Sequence, residues 1–280
     1  MFKKYVLAII LICATLFTIY YIQKRPVTTM KYFPIDESHF FETATTSINY
    51  LTNNDTNNIQ WITESTSSAE SYLRQDISLL FENGRFKGIQ NKWRQNVTNI
   101  LLKQSFQKTK SSLLETISFH HAEIHYKDKS IKSIQKMSED RLYFIHNHEM
   151  KAFHKPSTNE EKTLAKTLND TTETYLTKKW NAMIEHYDIQ KNNYIEIPLT
   201  EIVQFNEKPI PGLSMEKTEQ IIGQLWEGMY DNYIILLSDK QEQRVHHSVP
   251  LILMAKDNSH LLVLFEINDN KYKLIQKYPN

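Results

Sequence analysis

The chain has 280 residues with 33 Lys and Arg against 32 Asp and Glu, a balance that offers no basic surface to a nucleic-acid backbone, whose binding rests on neutralising phosphates. Hydrophobic residues make up 40% and aromatic residues 11%, enough apolar surface for a folded core. The five glycines, Gly84, Gly88, Gly212, Gly223 and Gly228, are not spaced to bring backbone amides onto a phosphate, which argues against a nucleotide site.

Residues 1–25 read as a short tail and a transmembrane anchor. Tyr5 to Ile22 is an uncharged apolar run, at about 18 residues the length of one membrane-crossing helix. Lys3 and Lys4 precede it, and Lys24, Arg25 and Pro26 close it. The bulky stretch Thr18 to Gln23 offers no small-residue cleavage site. A retained signal-anchor is therefore favoured over the cleaved signal of a secreted protein or a buried helix of a soluble one. Cys13, the only cysteine, lies inside the run after Leu11 and Ile12. That is no lipid-attachment context, and it leaves the rest of the chain without a thiol. Tyr20 and Tyr21 stand where an interfacial aromatic belt would lie. Basic pairs on both sides leave orientation to the long downstream segment, which translocates largely regardless of charge. The expectation is a single-pass cell-membrane protein, held through residues 5–22, with its C-terminal domain outside. Its richness in Lys, Asn, Thr and Ile suggests a bacterial gene.

Residues 26–35 follow as an extended spacer. From Asp36, a helix cap, three amphipathic helices are expected. Phe40, Phe41, Ala44, Ile48 and Leu51 mark the first, and Tyr72, Leu73, Ile77, Leu80 and Phe81 the second. Ile89, Trp93, Val97, Ile100, Leu101 and Phe106 mark the third. The polar run 52–58 reads as a loop, and Asn83-Gly84 as a helix end. From Leu114 the period changes to two, giving a strand over 117–126 and a turn at 127–130. Further strands over 131–137 and 141–153 complete a meander. This makes 36–155 a helical then β-meander lobe.

Lys155-Pro156 marks a boundary. Ser157 to Glu160 has a capping-box pattern opening a long helix with Leu164, Leu168, Leu176, Trp180, Met183, Ile184 and Tyr187 inward. A strand over 194–205, a rigid turn at 208–212 and a helix capped by Ser214 come next, the last burying Ile221, Ile222, Leu225, Trp226 and Met229. Strands over 233–237, 245–255, 260–267 and 272–276 end the chain, joined by turns at 257–258 and 268–270. Residues 156–280 thus read as an α+β lobe, and the fold class as α+β, with helices packed on antiparallel sheet.

Histidines are the unusual feature. His121, Glu123 and His125 alternate on one strand, about 7 Å apart on one face, and His146 and His148 do the same further on. If those strands met face to face, the five side chains would offer zinc a nitrogen and carboxylate set. The plainer reading is polar residues on the solvated face of a sheet. His246 and His247 point to opposite faces, and no H-E-x-x-H pattern occurs. Ser214 lacks the closing glycine of a nucleophile elbow, and Trp61 reads as a satellite aromatic. The functional expectation is a binding or scaffolding domain with a protein partner at the cell envelope, and no catalytic residue, nucleotide or nucleic acid. Its rival is a metal-assisted envelope hydrolase using the histidine cluster.

Overall fold

The computed structural model describes residues 30–53, 56–146, 151–238 and 247–279. Six strands form one antiparallel sheet: β1 (Phe41–Asn53), β2 (Thr56–Glu82), β3 (Arg85–Gln107), β4 (Ser112–His125), β5 (Ile131–Ile145) and β6 (Lys151–Phe153). The 27-residue β2 carries it. One edge of β2 pairs with β3; the other pairs first with β1 and then with β4. β5 and the short β6 extend the sheet beyond β4. The sheet curls into a half-barrel, and β1 crosses its hollow. The Ile48 N–H donates to the Asp140 carboxylate at 2.7 Å, and Tyr50 meets Phe144 edge-on at 5.5 Å.

The described chain is mainly β, 52% strand against 27% helix, which corrects the α+β expectation and above all the helical first third. The reason lies in where the apolar residues go. Ile77 and Phe81 join the large core on the convex face, whereas Leu80, one of the same supposed helical stripe, joins a second cluster in the hollow with Ile48, Ile59 and Trp61. A strand buried on both faces places apolar residues at i, i+3 and i+4 as readily as a helix does. Asn83-Gly84 is the turn of the β2–β3 hairpin, with both residues at positive φ, 49° and 75°, as a two-residue hairpin of this hand requires.

Helix α1 (Asn159–His186) starts one residue later than the capping-box reading: Thr158 caps the helix and Glu161 reaches back to it. Its Leu176 packs onto Gly84, where a Cβ would stand 2.8 Å from the leucine Cγ. Further along, Met183 and Ile184 cover one face of a second antiparallel sheet, ordered β10-β9-β8-β7. Its strands are β7 (Tyr194–Pro198), β8 (Leu251–Ala255), β9 (His260–Ile267) and β10 (Asn270–Lys277). The strand expected over 194–205 stops at Pro198. Leu199, Ile202 and Phe205 then recur every third residue, all buried, as the inner side of a 3₁₀ stretch, Leu199–Asn206. Helix α2 (Met215–Met229) is capped by Ser214 and runs into a π turn, Tyr230–Ile234, and a short α3 (Ile235–Ser238). A helix thus replaces the strand expected over 233–237, because Tyr233 is buried against Phe265 at 5.0 Å.

One hydrophobic cluster draws Ile77, Phe81 and Phe119 from the large sheet, Trp226 and Met229 from α2, and Val263 and Phe265 from the small sheet. Trp226 and Phe119 stack at 5.0 Å and 12°.

Among the described residues no helix is long and apolar enough to cross a membrane. This finding corrects the reading as a single-pass, signal-anchored membrane protein with an outer C-terminal domain. The apolar run 5–22 on which that reading rested lies outside the described residues.

Candidate functional site

Strand alternation on β4 places Phe119, His121, Glu123 and His125 on the convex face. His121 is fully buried, with its ring beside that of Phe119 at 6.2 Å, and neither ring nitrogen has a hydrogen-bond partner among the described residues. Burial first, and the Arg74 guanidinium second, push its pKa down to about 4, so the ring is neutral at physiological pH. Two residues on, His125 Nε2 lies 3.3 Å from Glu123 Oε2, and its ring stacks on Tyr72 at 3.9 Å. Burial raises the Glu123 carboxyl, with His125 and Lys31 pulling the other way.

Among the described residues the other histidines of the cluster do not join these three. In the β4–β5 register His125 faces Ile131 while Ser112 faces Phe144. His146, just past the end of β5, is therefore at the opposite end of the hairpin, on the order of 40 Å along the strand. There its N–H donates to Ser111 Oγ at 2.8 Å. His148 and His246 lie outside the described residues. His247 is buried, its Nδ1 2.8 Å from the Glu266 carbonyl. Among the described residues no group of three or more His, Cys, Asp or Glu is placed to hold a metal ion.

The hollow face holds a polar layer that the helical reading concealed. Arg74, Asp76, Ser78 and His120 are fully buried there with Ser65. Ser65 accepts from Arg74 and donates to Asp76 at 2.6 Å. Arg74 Nη2 is 3.8 Å from Asp76 Oδ1, and His120 Nδ1 is 3.1 Å from Asp76 Oδ2. Trp61 Nε1 donates to Ser78 Oγ at 3.1 Å. The signal was present in the sequence: Arg74, Asp76 and Ser78 alternate with Gln75, Ile77 and Leu79. Phe41 closes this layer, 4.6 Å from the Arg74 guanidinium carbon and 6.1 Å from the His120 ring.

The other side of Phe41 lines a cavity of about 290 Å³ at the outer edge of β5. Phe119, Met137, Phe205 and Ile222 give it apolar walls, and Asp36, His39, Lys136, Glu219 and Asn206 stand around them. Phe40, 60% exposed, also borders it. The Asp36 carboxylate is fully engaged. It accepts from the Ser38 N–H at 2.7 Å, the His39 N–H at 2.9 Å and the Tyr126 hydroxyl, with His39 Nδ1 3.1 Å away. Burial raises its pKa, but the hydrogen bonds, led by Tyr126, outweigh that and hold it at about 2.

The cavity floor includes open main chain. Ser133 directs both its backbone groups away from β4: its N–H donates to the Pro34 carbonyl at 2.9 Å, and its carbonyl accepts from Asp36 at 2.8 Å. By the period of two, Gln135, Met137 and Glu139 point the same way. Met137 bears this out, because its N–H and C=O are both met by the Asn206 side-chain amide, at 3.1 and 2.8 Å. Gln135 lies between these two anchored residues. Its side chain donates to the Glu219 carbonyl at 2.6 Å, while its backbone pair meets no partner among the described residues.

No protein-family model matches the chain, and no curated protein matches it. A solved structure of Bacteroides uniformis β-glucuronidase 2, covalently bound to cyclophellitol-6-carboxylate aziridine, aligns with 8% identity and a TM-score of 0.24. The alignment covers 70% of this chain and 27% of that one, a likeness too slight to carry an argument about fold or activity.

Proposed function

We propose that this protein is a binding domain rather than an enzyme, and that it holds its partner in the cavity between the β5 edge and α2. One observation carries the reading: apolar walls stand beside an open main-chain donor and acceptor, while the most deeply buried acid of the cavity, Asp36, is engaged. The Oδ1 of Asp36 accepts from the Ser38 and His39 N–H groups and its Oδ2 from the Tyr126 hydroxyl, bonds that hold it as a structural carboxylate. The apolar walls and the Gln135 backbone pair, by contrast, face the cavity. An apolar recess with a few convergent polar groups is the usual form of a ligand site.

The test is an amide ¹H–¹⁵N titration of the full chain with small secondary amides carrying an apolar group, such as N-methylbenzamide. Shifts centred on Gln135, Lys136 and Asn206 are expected. Lys136→Trp, an exposed position at the cavity, should weaken binding about tenfold or more by covering the apolar recess, with an unchanged melting temperature. Shifts scattered away from the cavity, or a hydrolytic turnover abolished by Asp36→Asn without unfolding, would overturn the reading.

A further inference from the structure

We propose that the outer edge of β5 accepts an extended peptide as an added strand, with Asn206 as its displaceable plug. The peptide would pair its main chain with Gln135, Met137 and Glu139. An apolar side chain would enter the cavity, and a lysine or arginine would reach the acidic recess beside Glu139. This rests on the binding reading above and specifies the chemistry of the partner.

Three independent features converge on it. First, the alternation fixed by Ser133 and Met137 turns the backbone of Gln135 and Glu139 outward. β6 covers only Tyr143 to Ile145 of the same edge. An uncovered edge presents a row of donors and acceptors that a further strand satisfies, the mode by which many domains take peptides. Second, the structure shows how that edge is met locally. The segment around Ile35 pairs with Ser133 as a single parallel bridge, and the Asn206 amide supplies one donor and one acceptor to Met137. Both are fragments of strand pairing, with Gln135 left between them. Third, a second recess of about 640 Å³ lies further along the edge, bordered by Glu139, Asp140, Arg141, His154, Lys155 and Glu201.

The charges in that recess select the occupant. Arg141 is held by Glu115 at 2.7 Å, and Asp140 by the Ile48 N–H and His154. Glu139, Glu201 and Lys155 are left without an ion-pair partner among the described residues, so two carboxylates face one ammonium and one further cation balances the recess. Burial raises the Glu139 carboxyl, and Glu115, Glu201 and Asp140 add to the rise against Arg141. A cation there relieves this repulsion. Gln135 and Glu139 are four residues apart, roughly 13 Å along a strand, so side chains four apart in the peptide reach the two recesses.

The probe is a fluorescent seven-residue peptide, acetylated and amidated, of threonine throughout except phenylalanine at its second position and lysine at its sixth. Its binding to the full chain is read by anisotropy. N-methylating the amides of its even positions, those whose main chain faces β5, should weaken binding about tenfold or more, and methylating odd positions less than about twofold. Asn206→Ala should tighten binding, because the plug no longer competes. Peptide should also slow hydrogen exchange at the Gln135 and Glu139 amides. Equal losses from even and odd methylation would overturn the strand mode. So would no binding at about 1 mM peptide, or self-association through this edge that peptide does not compete away. Those failures would leave the small-amide titration at the cavity standing, so the two readings fall separately.

Discussion

The two faces of the large sheet are built from the same strands and differ in how they hold together. On the convex face Ile77, Leu79, Phe81 and Phe119 pack against Trp226 and Met229, contacts that are non-directional and scale with buried area. In the hollow, residues one position away on β2 and β4, namely Arg74, Asp76, Ser78 and His120, are as deeply buried yet polar. Their stability rests on a few directional contacts, since Arg74 Nε and Nη1 meet no hydrogen-bond partner among the described residues. Burial alone therefore does not make a face a hydrophobic core. The convex face should tolerate a change of shape at a graded cost, whereas the hollow should respond sharply to loss of one partner and little to replacement of a whole pair.

The largest effect should come from the convex face. Trp226→Ala removes the ring stacked on Phe119 and should cost about 4 kcal/mol, read as a lower urea midpoint at unchanged m-value. In the hollow, Asp76→Ala leaves Arg74 buried without its counter-charge and should cost about 3 kcal/mol. The paired replacement Arg74→Met with Asp76→Leu should recover most of that loss. A double variant as unstable as the single one would end the distinction drawn between the faces.

His121 is a fully buried titratable ring on the apolar face, and pH exposes it. Its folded pKa, about 4, lies below its ordinary value of 6.5. The unfolded chain therefore takes up a proton that the folded chain refuses. Its contribution is free of this penalty above pH 6.5, and stability is lost as pH falls from 6.5 towards 4, by up to about 3 kcal/mol. His121→Gln should flatten that limb relative to the parent, as measured by urea melts at each pH. Parallel curves would show that the ring is not the group responsible. The smallest effect sets the scale outside both faces: Thr158→Ala should cost about 1 kcal/mol through loss of the α1 cap, by the same measurement.

How far the sequence could be read follows from how local each interaction is. Ser214 as the cap of α2 is plain in the sequence, and α1 was misplaced by one residue. The hairpin turn at 268–270 was legible too, since Asn268 and Asp269 adopt positive φ, as their side chains allow. The 41–107 segment was not, because Leu73, Ile77, Leu80 and Phe81 fit a helical stripe equally well when both faces of a strand are buried. The candidate site was less legible still. Asp36, Gln135 and Asn206 are about a hundred and seventy residues apart at their extremes, and the open backbone of Gln135 has no side-chain signature.

Sequence pattern suffices for the two long helices, the Ser214 cap and much of their inward sides, because these depend on groups within one or two turns of each other. Tertiary contacts were needed to make the first third β, to bury a polar layer in the hollow, and to leave the Gln135 backbone unpaired among the described residues. Strand pairing joins donors and acceptors far apart along the chain, and which edge goes unpaired is set by everything folded around it.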